Sequence, residues 1–154
     1  MKTPMHRATK SQIQAAFSLH GLRGTRQRRA VYEAMLATTS HPTADQLFCQ
    51  LRQHETGMSL ATVYNTLEAF CRVGLATKLP GNGTSAHYDA TVHNHLHTRC
   101  ERSDTVRDVP NTLSQKLLGH IPKPVLEQIE SEMGFKINQV QIALVGEYED
   151  SRAV

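Results

Sequence analysis

The sequence predicts an α+β chain in two parts: four helices closed by a hairpin, then a small α/β unit. Three observations carry this. Apolar residues recur at helical spacing as far as Val73, in segments punctuated by Gly21, Gly57 and Gly74, with caps at Thr25, Thr43 and Ser59. A Pro80-Gly81-Asn82-Gly83 turn then separates two short extended runs. Beyond it the pattern changes to short strands around one further helix.

Ile13, Ala16, Phe17 and His20 place a first helix over 10–20, ended by Gly21. Thr25 caps a second helix reaching about Thr38, with Val31, Ala34, Met35 and Thr38 on one face. His41-Pro42-Thr43 is a break followed by a cap. The third helix runs to about Gln53 and buries Ala44, Leu47, Phe48 and Leu51. Ser59 caps a fourth, 60–73, whose inward stripe is Leu60, Val63, Leu67, Phe70 and Cys71, with Gly74 just past its end. Strands at about 75–79 and 85–89 follow. Helices feeding directly into a hairpin make a winged helix-turn-helix, with 43–53 and 59–73 as its two helices. The outward face of the second offers Thr62, Tyr64, Asn65, Thr66 and Glu68, groups suited to base edges, thymine methyls and phosphates.

In the second half, residues 96–101 and 105–109 read as a hairpin around Arg102-Ser103-Asp104. Residues 110–121 show no clear pattern. Pro122 or Pro124 opens a helix carrying Val125, Leu126, Ile129 and Met133, ended by Gly134, and 142–145 is an apolar strand. We divide the chain at 90/91, into a winged-helix DNA-binding domain, 1–90, and an α/β dimerisation and metal-sensing domain, 91–154. Some 60 residues make a small core. The strand edge and apolar helix face are therefore expected to pair with a second copy.

Charge separates the halves. Residues 1–90 hold ten Lys/Arg and five Asp/Glu, a balance of +5; residues 91–154 hold seven and nine, a balance of −2. No acid precedes Glu33, whereas Lys2, Arg7, Lys10, Arg23, Arg26, Arg28 and Arg29 all do. A basic start suits a polyanion, nucleic acid before membrane surface. No run of eighteen apolar residues occurs, and the first residues lack an apolar signal core. Three unpaired Cys, at 49, 71 and 100, suit a reducing cytoplasm. Cys49 and Cys71 read as core packing. No nucleophile elbow, phosphate loop or dinucleotide fingerprint is present.

The chemistry concentrates in histidine. His93, His95 and His97 alternate, so in a strand they share one face. Asp89 lies six residues before His95, and Asp108 eleven after His97, on the returning strand. Imidazoles and carboxylates suit a divalent ion such as Fe²⁺, Mn²⁺ or Zn²⁺. His87 is a further candidate. No Cys-x-x-Cys exists, so one chain cannot build a four-thiolate zinc. A metal hydrolase is the enzyme reading, since two His and a carboxylate with an open position permit it. It leaves the helix-turn-helix unexplained, and we read the chain as no enzyme.

The segments GLRGTRQRRAVYEAML, HPTADQLFCQL, MSLATVYNTLEAFCRVGLATKL and HLHTRCERSDTVRDV, in this order, resemble the ferric uptake regulator family of bacterial repressors. The resemblance covers about residues 15–109. It implies a metal-responsive homodimer that binds a palindromic operator in double-stranded DNA, with one divalent ion per subunit at the hinge between the domains. Carried over, the ligands are His41 from HPTAD, Asp89 from HYDA, His95 and His97 from HLH, and Asp108 from VRDV. His41 enters through the resemblance alone. Arg23, Thr62, Tyr64 and Asn65 would contact DNA. The acid spacing is similar to the peroxide-sensing branch. The family's first thiolate pair is reduced to Cys100-Glu101-Arg102-Ser103 and its second is absent, so no structural zinc is expected, a loss that resembles the haem-interacting iron-response branch. Residues 110–121 look like an insertion. The expected regulator thus serves iron or manganese homeostasis or peroxide stress. The alternatives are a haem-interacting iron-response regulator or a metal-binding or hydrolytic protein without DNA.

Overall fold

The computed structural model describes residues 8–38, 40–81, 83, 85–90, 95–138 and 140–149. The chain divides into two units, Met1–His93 and Asn94–Val154. Lys2, Arg7, Asn82 and His93, weighed above, lie outside the described residues.

The first unit holds α1 (Lys10–Leu19), α2 (Arg26–Ala37), α3 (Ala44–Leu51), α4 (Leu60–Arg72), β1 (Thr77–Leu79) and β2 (His87–Asp89). Each helix starts where a hydroxyl can satisfy an orphan amide. Thr9, Thr25, Thr43 and Ser59 accept from Gln12, Arg28, Gln46 and Thr62, and Thr9 and Thr43 complete capping boxes. Gly74, at φ 77°, follows the last turn of α4 in the left-handed region that a side chain resists. The core closes around three rings. Phe17 lies 5.5 Å from Tyr32 and 5.7 Å from Phe70, and Tyr32 lies 5.3 Å from Phe70. Val31, Leu47, Val63 and Leu67 fill the space around them.

Two expectations change here. Thr66 is buried, not outward. It stands at i+3 from Val63 and directly before Leu67, inside the stripe that the helical period defines. Cys49 is exposed, because it lies two residues beyond the inward Leu47 on an eight-residue helix, whereas Cys71 packs half-buried against the core.

The second unit holds β3 (His97–Cys100), β4 (Val106–Asp108), α5 (Asn111–Leu118), α6 (Lys123–Met133) and β5 (Ala143–Gly146). Its sheet has the order β4-β3-β5: β3 is antiparallel to β4 and parallel to β5. The stretch 110–121 contains the helix α5, which apolar periodicity missed because its buried position is Ser114, while Leu113 and Leu117 are exposed. Among the described residues of this unit, Leu96, Cys100, Val106 and Ser114 are buried. α6 buries none of its residues, and all four residues of β5 are exposed in the single chain.

Candidate metal centre and nucleic-acid interface

In the first unit, a connector and a strand bring a histidine to a carboxylate. His41 follows α2 and precedes α3 at φ 46°, a left-handed backbone for a non-glycine residue, which costs about 1–3 kcal/mol. Three contacts with β2 hold it. His87 Nδ1–H donates to the His41 carbonyl at 2.6 Å, Tyr88 N–H donates to the Pro42 carbonyl at 3.0 Å, and Thr43 bridges His87. A carbonyl only accepts, so the His87 proton sits on Nδ1. His41 Nδ1 lies 3.4 Å from Asp89 Oδ1, and both side chains are buried, at 4% and 3% exposure.

In the second unit, strand register does the same work. His97 stands opposite Asp108 in the β3–β4 ladder. His95 Nε2 lies 3.0 Å from Asp108 Oδ1, and His97 Nε2 lies 3.6 Å from the same oxygen. The two imidazoles are 4.4 Å apart by ring centroids. The alternation in His-Leu-His thus places both rings on one carboxylate, as the spacing predicts, while Leu96 points into the core.

The donor chemistry suits a divalent ion. Two ligands about 2.1 Å from one ion stand roughly 3.0 Å apart at right angles and roughly 3.4 Å apart in a tetrahedron. The His–Asp separations of 3.0 to 3.6 Å within each unit match this spacing. All five residues offer imidazole nitrogen or carboxylate oxygen. Thiolates contribute to neither unit's cluster. Cys100 is buried, and the Ser103 hydroxyl and backbone hydrogen bonds at Ser103 hold its thiol down at about 7 against an ordinary 9. Ser103, standing where a second thiol would complete a pair, therefore serves as a hydrogen-bond donor to Cys100.

The residues predicted to face DNA share the first unit. Tyr64 and Asn65 are exposed on α4, and Arg23 is exposed ahead of α2. Thr62 is half-buried, with its hydroxyl 2.8 Å from Ser59 Oγ. One partner escaped the sequence reading. Asp45, in the first turn of α3, accepts from Tyr64 OH at 3.2 Å, and burial together with this carboxylate raises the phenol above its ordinary range. Glu68 receives Lys78 Nζ of β1 at 2.8 Å and Tyr88 OH of β2 at 3.4 Å, tying the wing to α4. Asp45 lies within the same HPTAD segment that supplies His41, which was the available signal.

The ferric uptake regulator family model matches residues 19–145. Among characterised proteins, the peroxide-responsive repressor PerR of Staphylococcus saprophyticus is 36% identical over 89 residues, 58% of this chain and 60% of that repressor. The alignment thus spans about three fifths of the relative's own length. In structure, the chain is similar to the ferric uptake regulator of Vibrio cholerae (TM-score 0.64, 22% identity, covering 88% of this chain and 99% of that one). It is also similar to a manganese-containing ferric uptake regulator of Pseudomonas aeruginosa (TM-score 0.65, 22% identity, 89% and 98% covered). At these identities the likeness is one of fold.

Proposed function

Because the chain belongs to the ferric uptake regulator family, we propose that it is a metal-responsive DNA-binding repressor of iron or manganese homeostasis or of the peroxide response. The observation that carries the reading is the pair of His–carboxylate clusters, one in each unit, both with N/O donors at metal-compatible spacing. In this reading His41 and Asp89 join His95, His97 and Asp108 around one divalent ion, Fe²⁺ or Mn²⁺, with Zn²⁺ able to substitute in vitro. The ion supplies positive charge that holds the two sets of ligands together. The chain supplies the orientation. His87 fixes the backbone of His41, and the β3–β4 register sets His97 against Asp108. Constraining the two units biases a two-state equilibrium toward the form that fits a palindromic operator.

Tyr64 and Asn65 read base edges with help from Thr62, while Arg23 and its basic neighbours hold phosphates. The active species is a homodimer formed by residues 91–148, without a structural thiolate zinc. No helix among the described residues is long and apolar enough to cross a membrane, and the proposed site of action is the cytoplasm.

The test titrates Mn²⁺ into wild type and His41→Ala while operator binding is followed. Wild type is expected to gain affinity with metal and His41→Ala to lose that gain while remaining folded. Equal operator binding by both proteins, with and without metal, removes the switch.

A further inference from the structure

We propose that Ser114, on the unforeseen helix α5, is a positioning residue that sets the spacing of His95, His97 and Asp108. The inference rests on reading those three side chains as metal ligands. Ser114 is fully buried, at 0% exposure. Its hydroxyl accepts from Leu96 N–H at 3.2 Å and donates to the Val109 carbonyl at 3.2 Å.

These two backbone groups face each other across the sheet. In an antiparallel ladder, residues opposite one another exchange two hydrogen bonds at alternate positions. Leu96 and Val109 make the first directly, Val109 N–H to the Leu96 carbonyl at 2.8 Å. The second is relayed through the Ser114 hydroxyl. A hydroxyl in that place props the strands apart at one corner and closes the ladder without an orphan amide.

That corner is where the ligands sit. Leu96 lies between His95 and His97, and Val109 follows Asp108. The neighbouring pair, His97 with Asp108, keeps regular register. His95, on the propped side, reaches diagonally to the same Asp108 oxygen at 3.0 Å. Removing the hydroxyl leaves the Leu96 amide and the Val109 carbonyl to pair directly. The corner then closes, and the reach of His95 to Asp108 changes. Hydrogen-bonding partners behind metal ligands set affinity in this way, and their loss commonly weakens binding about 10- to 100-fold.

The full chain is tested as Ser114→Ala, with Ser114→Thr retaining the hydroxyl and Ser114→Cys retaining the approximate size. Two readouts are taken: Mn²⁺ affinity, and the visible absorption bands of bound Co²⁺, which report ligand geometry. We expect Ser114→Ala to bind Mn²⁺ about tenfold or more weakly and to shift the Co²⁺ bands, and Ser114→Thr to restore both. If Ser114→Ala does not fold, the same comparison is made between Ser114→Cys and Ser114→Thr. A variant lacking the hydroxyl that melts lower but keeps wild-type Mn²⁺ affinity and Co²⁺ bands overturns the proposal, because Ser114 is then only structural. Asp108→Ala separates the two readings. If it abolishes binding while loss of the hydroxyl does not, Ser114 alone is misassigned. If Asp108→Ala also binds normally, the ligand reading fails and the positioning role falls with it.

Discussion

Ile129→Ala measures the surface that the second unit leaves uncovered. Val125, Ile129 and Met133 share one face of α6 and remain 48%, 42% and 74% exposed, and Leu144 and Val145 on β5 remain 42% and 47% exposed. Fully burying an aliphatic side chain contributes about 1.5–3 kcal/mol. With 42% of Ile129 still exposed, its remaining share is about 0.6–1.3 kcal/mol. In a two-fold dimer each substitution counts twice, about 1.3–2.5 kcal/mol in all. Since 1.4 kcal/mol is tenfold, the dimer dissociation constant should rise roughly 10- to 70-fold. Alanine favours the helix, which offsets part of the packing that the substitution removes within the monomer. Sedimentation velocity from nanomolar to high micromolar protein, with and without EDTA, reads this directly. The wild-type dimer should survive chelation, because N/O ligands rather than a thiolate zinc are expected. A dissociation constant unchanged within threefold, or a wild-type chain that is monomeric at micromolar concentration, would refute the assignment of this face.

The remaining predictions concern α4, proposed to face DNA, and the buried thiol. Tyr64→Ala should weaken operator binding by about 1–3 kcal/mol and random DNA by much less, while Tyr64→Phe, which loses only the bond to Asp45, should cost less than Tyr64→Ala. Equal losses on both DNAs, measured by gel shift at fixed salt, would show that Tyr64 merely packs. In a Cys49→Ser/Cys71→Ser background, thiolate absorbance should titrate at about 7 for Cys100 and move upward in Ser103→Ala. The sign follows from proton counting: between about 7 and the ordinary 9 the unfolded chain binds more protons, so stability rises with pH across that window. Below about 7 the contribution is gone. A midpoint near 9 in both proteins removes the role of Ser103.

Much of the first unit was legible because its signals are local. Caps at Thr25, Thr43 and Ser59 and the stripe Val63, Leu67 and Phe70 act within a few residues of where they stand. His95 and His97 were legible for the same reason, since strand alternation alone puts them on one face. Thr66 could have been read from its place beside Val63 and Leu67, but its polarity argued the other way.

The sequence by itself therefore determined the helices of the first unit and the alternation that sets His95 and His97 on one face. Tertiary structure alone decided that β5 lies parallel beside β3, that His87 grips the carbonyl of His41, and that α5 forms around a buried serine. The physical reason is common to all three. Hydrophobic period records where apolar side chains turn, whereas these features are hydrogen bonds between distant backbone groups and single polar atoms. Such bonds leave no periodic trace along the chain. Ser114 shows the difference plainly: in the sequence it is a small polar residue in an uncertain stretch, and in the fold its hydroxyl completes a strand pair eighteen residues away.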